Sequence, residues 1–228
     1  MHVALVTVGD ELLAGRTTNT NATWLCERLS ERGVSVERVT TVPDRVEDIA
    51  DVIETYRTAY DAVIVTGGLG PTHDDVTMEA VAAAFDRPLE EHEQALAWLE
   101  DHGYSRGDLT EGTAALPAGG RPLHNDVGVA PGVTLEEVYV LPGVPSEMKA
   151  MFDRIAAEFS GTPTYREVVV ANEPESALLD RIAAVRTQYD VSIGSYPGEN
   201  VRIAIESPDE KQSTEAAAWL RERVERVR

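Results

Sequence analysis

The run Thr66-Gly67-Gly68-Leu69-Gly70-Pro71-Thr72-His73-Asp74-Asp75 constrains this chain more than any other stretch. It follows Ala62-Val63-Ile64-Val65, which reads as a buried strand, and precedes Val76 to Phe85, which reads as a helix. Three glycines at a strand-to-helix turn let the backbone approach a ligand closely. The helix start adds unpaired N–H groups and a positive dipole end, which suit phosphate. Two carboxylates at the same turn can hold a divalent cation against that phosphate. A plainer reading stands beside this one: a tight turn in which Asp74 caps the helix and Asp75 favours its dipole.

The rest of the chain supplies the sheet that such a turn needs. Residues 3–8 read as a first strand. Ala22, Leu25, Cys26 and Leu29 lie at helical spacing within Asn19 to Glu31, and Gly33 ends that helix. Val34 to Val42 reads as the second strand, and Pro43-Asp44 starts a helix carrying Val46, Ile49, Val52 and Ile53 on one face. Two more helices are predicted across 75–102. Alternating strands and helices imply a mostly parallel sheet with helices on both faces. Residues 103–127 lack periodicity, as functional lids and interface segments often do. Gly128 to Leu135 and Val138 to Leu141, around Glu136-Glu137, read as a hairpin, and Pro142-Gly143-Val144-Pro145 turns the chain into a helix. Ser160-Gly161-Thr162-Pro163 marks a boundary. The domains expected are 1–160 and 161–228, the second a small α+β module ordered strand–helix–strand–strand–helix, its last helix running from about Lys211 to the end.

Several loops leave strand ends, where parallel α/β sheets place ligand sites. Gly9-Asp10-Glu11 follows strand one; Asp10 can bind a cation, and Asn21 can hydrogen-bond a ligand. Asn19 or Thr20 serves equally as a helix cap there. Asp44 follows strand two, as a cap or as a ligand. Strands one to three deliver Asp10, Asp44 and Asp75 toward one sheet edge. Were they to converge, Mg²⁺ would be the economical neutraliser. Asn125 to Gly132 and Leu141 to Met148 are Gly- and Pro-shaped loops whose roles are structural or ligand-contacting. Ser146 is placed to cap the helix, with Glu147 near its dipole. The candidate contacts are thus Gly9, Asp10, Asn21, Thr66, Gly67, Gly68, Gly70, Thr72 and Asp74, then Gly128, Pro131, Pro142, Gly143 and Glu147.

Composition narrows the partners. No apolar run has the length of a membrane span, and the N-terminus lacks secretory features, so a soluble cytoplasmic protein is expected. Forty acidic and 20 basic residues give a net charge of −20, which repels nucleic acid and anionic membranes. Lys149 and Lys211 are the only lysines, an acidic, lysine-poor profile expected of a halophilic cytoplasm. The single Cys26 reads as a packed thiol, and His73 as an exposed loop residue. The histidines show no metal-ligand spacing, and there is no Walker lysine or Gly-x-Ser-x-Gly elbow.

Taken in order, Gly9-Asp10-Glu11-Leu12-Leu13 with Asn19-Thr20-Asn21, Val42-Pro43-Asp44, Thr66 to Thr77, Asn125 to Gly132 and Leu141 to Met148 resemble the molybdopterin-binding-like domain of the CinA (competence/damage-inducible protein A) family. That domain is related to the MoaB/MogA-type molybdenum-cofactor proteins. The resemblance covers residues 1 to about 158. It implies a three-layer α/β sandwich followed by a KH-like module. It also implies Mg²⁺ as cofactor, with Asp44 and Asp75 as catalytic and metal-binding residues; the loop after strand one adds Asp10 as a further candidate ligand. The activity implied is hydrolysis of ADP-ribose to AMP and ribose 5-phosphate. The alternatives are molybdopterin binding or adenylyl transfer in cofactor assembly, and a non-catalytic nucleotide- or pterin-binding module. A homo-oligomer, dimer or trimer, is implied as well. The sequence departs from the family in three respects. It has no counterpart of the C-terminal amidase domain. It has no basic residue in Gly112-Thr113-Ala114 before Ala115-Leu116-Pro117. It has Val129 where relatives often have Thr.

Overall fold

The computed structural model describes residues 1–105, 107, 109–110 and 112–225, and the chain divides into two compact units, Met1–Gly161 and Thr162–Arg228. The first unit runs β1 (His2–Val8), α1 (Asp10–Leu13), α2 (Thr20–Glu31), β2 (Ser35–Val42), α3 (Val46–Ala59), β3 (Ala62–Thr66) and α4 (Thr77–Ala84). It continues through β4 (Leu89–Glu91), α5 (Glu93–Asp101), β5 (Ala115–Pro117), β6 (Arg121–Leu123), β7 (Gly132–Leu135), β8 (Val138–Leu141) and α6 (Pro145–Ile155).

Six strands form the main sheet in the order β2-β1-β3-β8-β7-β6. β1, β2, β3 and β8 are parallel; β7 and β6 join antiparallel at one side. The alternating direction of strand side chains splits the apolar residues between two cores. Val6, Val8, Val63 and Val65 meet Ile49 and Ile53 of α3, Val81 of α4 and Leu99 of α5. Leu5 and Ile64 point the other way, onto Leu25 and Leu29 of α2 and Phe152 and Ile155 of α6. Helices therefore cover both faces, giving the expected three-layer sandwich with a mostly parallel sheet. No described helix is long and apolar enough to cross a membrane.

Element ends differ from the sequence reading in an instructive way. α2 starts as expected, with Asn19 accepting from Ala22 N at 3.1 Å. By contrast α3 begins two residues beyond Asp44, α4 begins at Thr77 after an uncapped Val76, and α6 begins with Pro145 as its first residue. Asp44, Asp74 and Ser146 are therefore not the caps. The two acidic groups are engaged elsewhere, and the leading proline of α6 has no N–H of its own to cap. The segment 103–127 is not wholly loop. It contains β5, which pairs with β4, and β6, which extends the main sheet.

The second unit runs β9 (Tyr165–Ala171), α7 (Glu175–Gln188), β10 (Ser192–Tyr196), β11 (Val201–Ser207) and α8 (Glu210–Arg221). Its antiparallel sheet has the order β10-β11-β9, and Val169, Ile193, Ile203 and Ile205 face Leu178 of α7 and Leu220 of α8. The expected element order holds. The last helix stops at Arg221 rather than running on, and residues 226–228 of that expectation lie outside the described residues.

Candidate ligand-binding site

The glycine loop leaves the C-terminal end of β3, and its geometry is set by close backbone packing. Gly67 has φ +108 and Gly68 φ +64, conformations that suit glycine. A Cβ on Gly67 would run into the Val8 carbonyl, and one on Gly68 into Thr77 Oγ1. Thr77 closes the loop from the helix side, donating its hydroxyl to Gly67 O at 2.8 Å and its amide to Gly68 O at 3.2 Å.

Beyond Gly70 the loop is shaped by Thr72. Its amide donates to Asp75 Oδ2 at 3.0 Å, and its hydroxyl lies between Asp74 Oδ1 and Asp75 Oδ2. One hydroxyl proton serves one acceptor at a time; with the amide on Asp75, the hydroxyl can serve Asp74, and Thr72 holds both carboxylates in a tight turn. Its hydroxyl is the main cause of an Asp74 pKa below the ordinary carboxylate value. Asp75 Oδ1 has no hydrogen-bond partner among the described residues.

Two cavities flank this loop. The first encloses about 520 Å³. Gly68, Gly70, Thr72 and Asp75 line one side, and Pro131, Ala130 and Val129 another. Its apolar wall comes from Met78, Leu89, Tyr104 and Leu109. The second is a recess of about 110 Å³ on the Gly67 side, bounded among others by Thr7, Asn19, Asn21, Thr66 and Gly143. Here Asn21 Nδ2 donates to Gly143 O at 2.7 Å, and Thr66 Oγ1 donates to Pro142 O at 2.8 Å. The Asn21 Oδ1 atom is buried without a partner.

Of the sequence candidates, Gly68, Gly70, Thr72, Asp75 and Pro131 line the larger cavity. Asn21, Thr66, Gly67 and Gly143 line the recess, and Pro142 supports it through its carbonyl. Gly128 and Glu147 meet at Asn125, whose Nδ2 donates to Glu147 Oε2 at 2.7 Å and whose Oδ1 accepts from Gly128 N at 2.9 Å. Gly9 is buried, donating to Val42 O at 3.1 Å. Asp74 is exposed, and the His73 side chain is 98% exposed. Sequence reasoning missed the wall residues Met78, Leu89, Tyr104 and Leu109. The aperiodic stretch after residue 102 was the signal for the last two.

The expected convergence of carboxylates does not occur. Asp10 and Asp44 do meet, but through the main chain: Asp10 N donates to Asp44 Oδ2 at 2.7 Å. Among the described residues, no three His, Cys, Asp or Glu side chains group to hold a metal ion, so Asp10, Asp44 and Asp75 do not form one centre. Parallel strands bring their ends to one edge, but the Asp44 carboxylate turns to the Asp10 N–H and the Asp75 carboxylate to the N–H and O–H of Thr72. The residues present do not fit a Mg²⁺ ion held by protein alone.

A three-layer α/β sandwich carrying a glycine loop beside a half-apolar cavity defines the class of protein. Residues 4–161 match the family described as "Probable molybdopterin binding domain", and residues 163–227 match "FAD synthase, middle domain". The crystal structure of the protein CinA, with unknown function, from Thermoplasma acidophilum is 36% identical, with a TM-score of 0.64 over 69% of this chain and 97% of that one. A Pyrococcus furiosus protein is 37% identical, covering 97% of this chain and 96% of its own. An Archaeoglobus fulgidus protein is 39% identical, covering 86% of each. The chain belongs to the CinA-type family of probable molybdopterin binding domains.

Proposed function

We propose that this chain binds a pterin or nucleotide phosphate in the cavity of about 520 Å³, its phosphate against the Gly68–Thr72 backbone and its ring on the apolar wall of Met78, Leu89 and Tyr104. The observation that carries this reading is the pairing, in one cavity, of a glycine loop with a ring-sized apolar surface. The family of residues 4–161 supports molybdopterin as the ligand class, and binding alone is sufficient for that role. Calorimetry on the full chain with molybdopterin and with ADP-ribose tests it. Saturable binding that is lost in Val129→Trp, which fills the cavity, supports the proposal; heat unaffected by that substitution overturns it.

A second reading, hydrolysis of ADP-ribose, is favoured by one observation: Asp75 and Glu79 bring carboxylates to the same cavity, and Asp75 Oδ1 is free to orient a water. The water oxygen would bond to phosphorus, the bridging P–O bond would break, and the water proton would pass to the carboxylate. AMP and ribose 5-phosphate would result. Incubation with ADP-ribose, with and without Mg²⁺, followed by chromatography for AMP, tests this. Turnover surviving in Asp75→Asn defeats it. Self-association as a dimer or trimer belongs to the same proposal and is read by sedimentation.

A further inference from the structure

The second unit carries a surface unlike the rest of the molecule. Residues 1–161 hold 28 acidic and 11 basic side chains, a net −17; residues 162–228 hold 12 and 9, a net −3. The sheet of this unit is covered by helices on one face only. The other face presents Arg166, Val168 and Val170 from β9, Arg202 and Ala204 from β11, and Tyr196 from β10. Val168 and Tyr196 are 42% and 51% exposed.

Register makes a trough of this face. Gly194, Ala204 and Val168 lie side by side across the three strands, and Tyr196 is paired with Arg202. The Tyr196 ring leans over Gly194, close enough that a Cβ there would sit 3.2 Å from its hydroxyl. The result is a depression of about 240 Å³ bounded by Arg166, Val168, Tyr196, Arg202 and Ala204. Arg166 is partly engaged, its Nε 3.1 Å from Glu206 Oε1. Arg202 has no carboxylate partner among the described residues, in a chain with twice as many acids as bases.

An unpaired guanidinium beside an exposed aromatic ring and a flat apolar floor is complementary to an aromatic body bearing an anionic group. The sheet face measures about 14 by 23 Å, roughly 320 Å² from strand spacing and rise. That falls well short of the roughly 800 Å² per partner of a stable protein interface, but suits a mononucleotide. We propose that this face is a second ligand site, for a planar aromatic monophosphate of the nucleotide class. The ring packs on Tyr196, Val168 and Ala204, and the phosphate meets Arg202. The site is separate from the glycine-loop cavity and does not depend on the function proposed for it.

The test is a titration of AMP into the full chain carrying Val129→Trp, so that the glycine-loop cavity is filled and this face reports alone. One AMP per chain is expected. Binding should weaken at least about tenfold in Arg202→Gln and about fivefold or more in Tyr196→Ala, as loss of a charged or a stacking contact implies. Adenosine and inorganic phosphate, as separate probes, should each bind at least about tenfold more weakly than AMP. Both positions are exposed, and circular dichroism verifies folding; if either variant misfolds, the other decides. Absence of AMP binding in the Val129→Trp chain overturns the proposal, as does binding indifferent to both substitutions. Sedimentation showing a dimer that Arg202→Gln dissociates, without AMP binding, assigns the face to a second copy and also overturns it.

Discussion

The backbone amide of Asp10 donates to Oδ2 of Asp44 at 2.7 Å, tying the turn after β1 to the turn after β2. The carboxylate of Asp44 thereby accepts a hydrogen bond from an N–H group. Mg²⁺ added without ligand should then raise the melting temperature no more than Na⁺ at equal ionic strength. Differential scanning calorimetry checks this. A Mg²⁺-specific rise, abolished in Asp44→Asn, would show that the carboxylates gather an ion after all. Asp44→Ala should cost about 1 kcal/mol, the ordinary net worth of a hydrogen bond at a half-exposed position.

Gly68 and Thr77 lock the loop together. Gly68→Ala places a methyl group against Thr77 Oγ1, in a backbone conformation with φ +64. The variant should lose about 1–3 kcal/mol of stability through strain. The amides around residue 68 should also be displaced, weakening any phosphate ligand by about tenfold or more. Thermal denaturation and a binding titration read the two effects separately. Wild-type affinity in Gly68→Ala would remove the loop backbone from the ligand contacts.

How much of this was visible in the sequence depends on the range of the forces involved. The strand–loop–helix around Gly67 and Gly68 was legible because glycine freedom and apolar periodicity are local. Asn19 was legible as a cap for the same reason. Asp74 was misread because Thr72, two residues before it, competes for its carboxylate, and local propensity does not rank the two partners. The convergence of Asp10, Asp44 and Asp75 was misjudged because topology fixes where a strand ends but not where a loop side chain points. Tyr104 and Leu109 were invisible individually. Their stretch has no periodicity, and only tertiary packing brings them to the glycine loop.

Asn125 organises the loop that forms another side of the cavity. It is buried, donates to Ala130 O at 3.0 Å and to Glu147 Oε2 at 2.7 Å, and accepts from Val127 N and Gly128 N. All of its hydrogen-bonding groups are engaged, so Asn125→Ala leaves several partners unsatisfied. A loss of about 2–3 kcal/mol is expected, together with weaker ligand binding as Val129 to Pro131 shift. Asn125→Asp should be no better, since it replaces the donor to Glu147 with a second carboxylate. Thermal melts of the two variants check this; a fully stable Asn125→Asp would contradict it.

With 40 acidic residues against 20 basic, the folded chain is under strong self-repulsion. Salt should relieve it, since surface charges are screened within about 10 Å at 0.1 M and about 3 Å at 1 M. The melting temperature should climb steadily between these concentrations in NaCl or KCl alike. A melting temperature that is flat or falling over that range would contradict the electrostatic reading of the composition.

The His124 ring stacks on Trp98 at 5.0 Å and 13°, and Trp98 also stacks on His102 at 4.0 Å. His124 Nδ1 is buried without a partner, so protonation would place a charged N–H there with nothing to receive it. Burial is the main cause of a pKa below the ordinary histidine value; Arg154, His102 and His92 push the same way, and Asp126 opposes them. The sign follows from linkage. As pH falls, the unfolded chain takes up this proton before the folded one does. Stability from this group is complete above the unfolded value of about 6.5 and declines as pH drops below it toward the folded value. His124→Phe keeps a stacked ring but removes the titration. It should flatten the fall in melting temperature between pH of about 7 and 5, above the range where the carboxylates take over. Thermal melts across that interval decide the matter: an unchanged slope in His124→Phe would mean that the loss arises elsewhere.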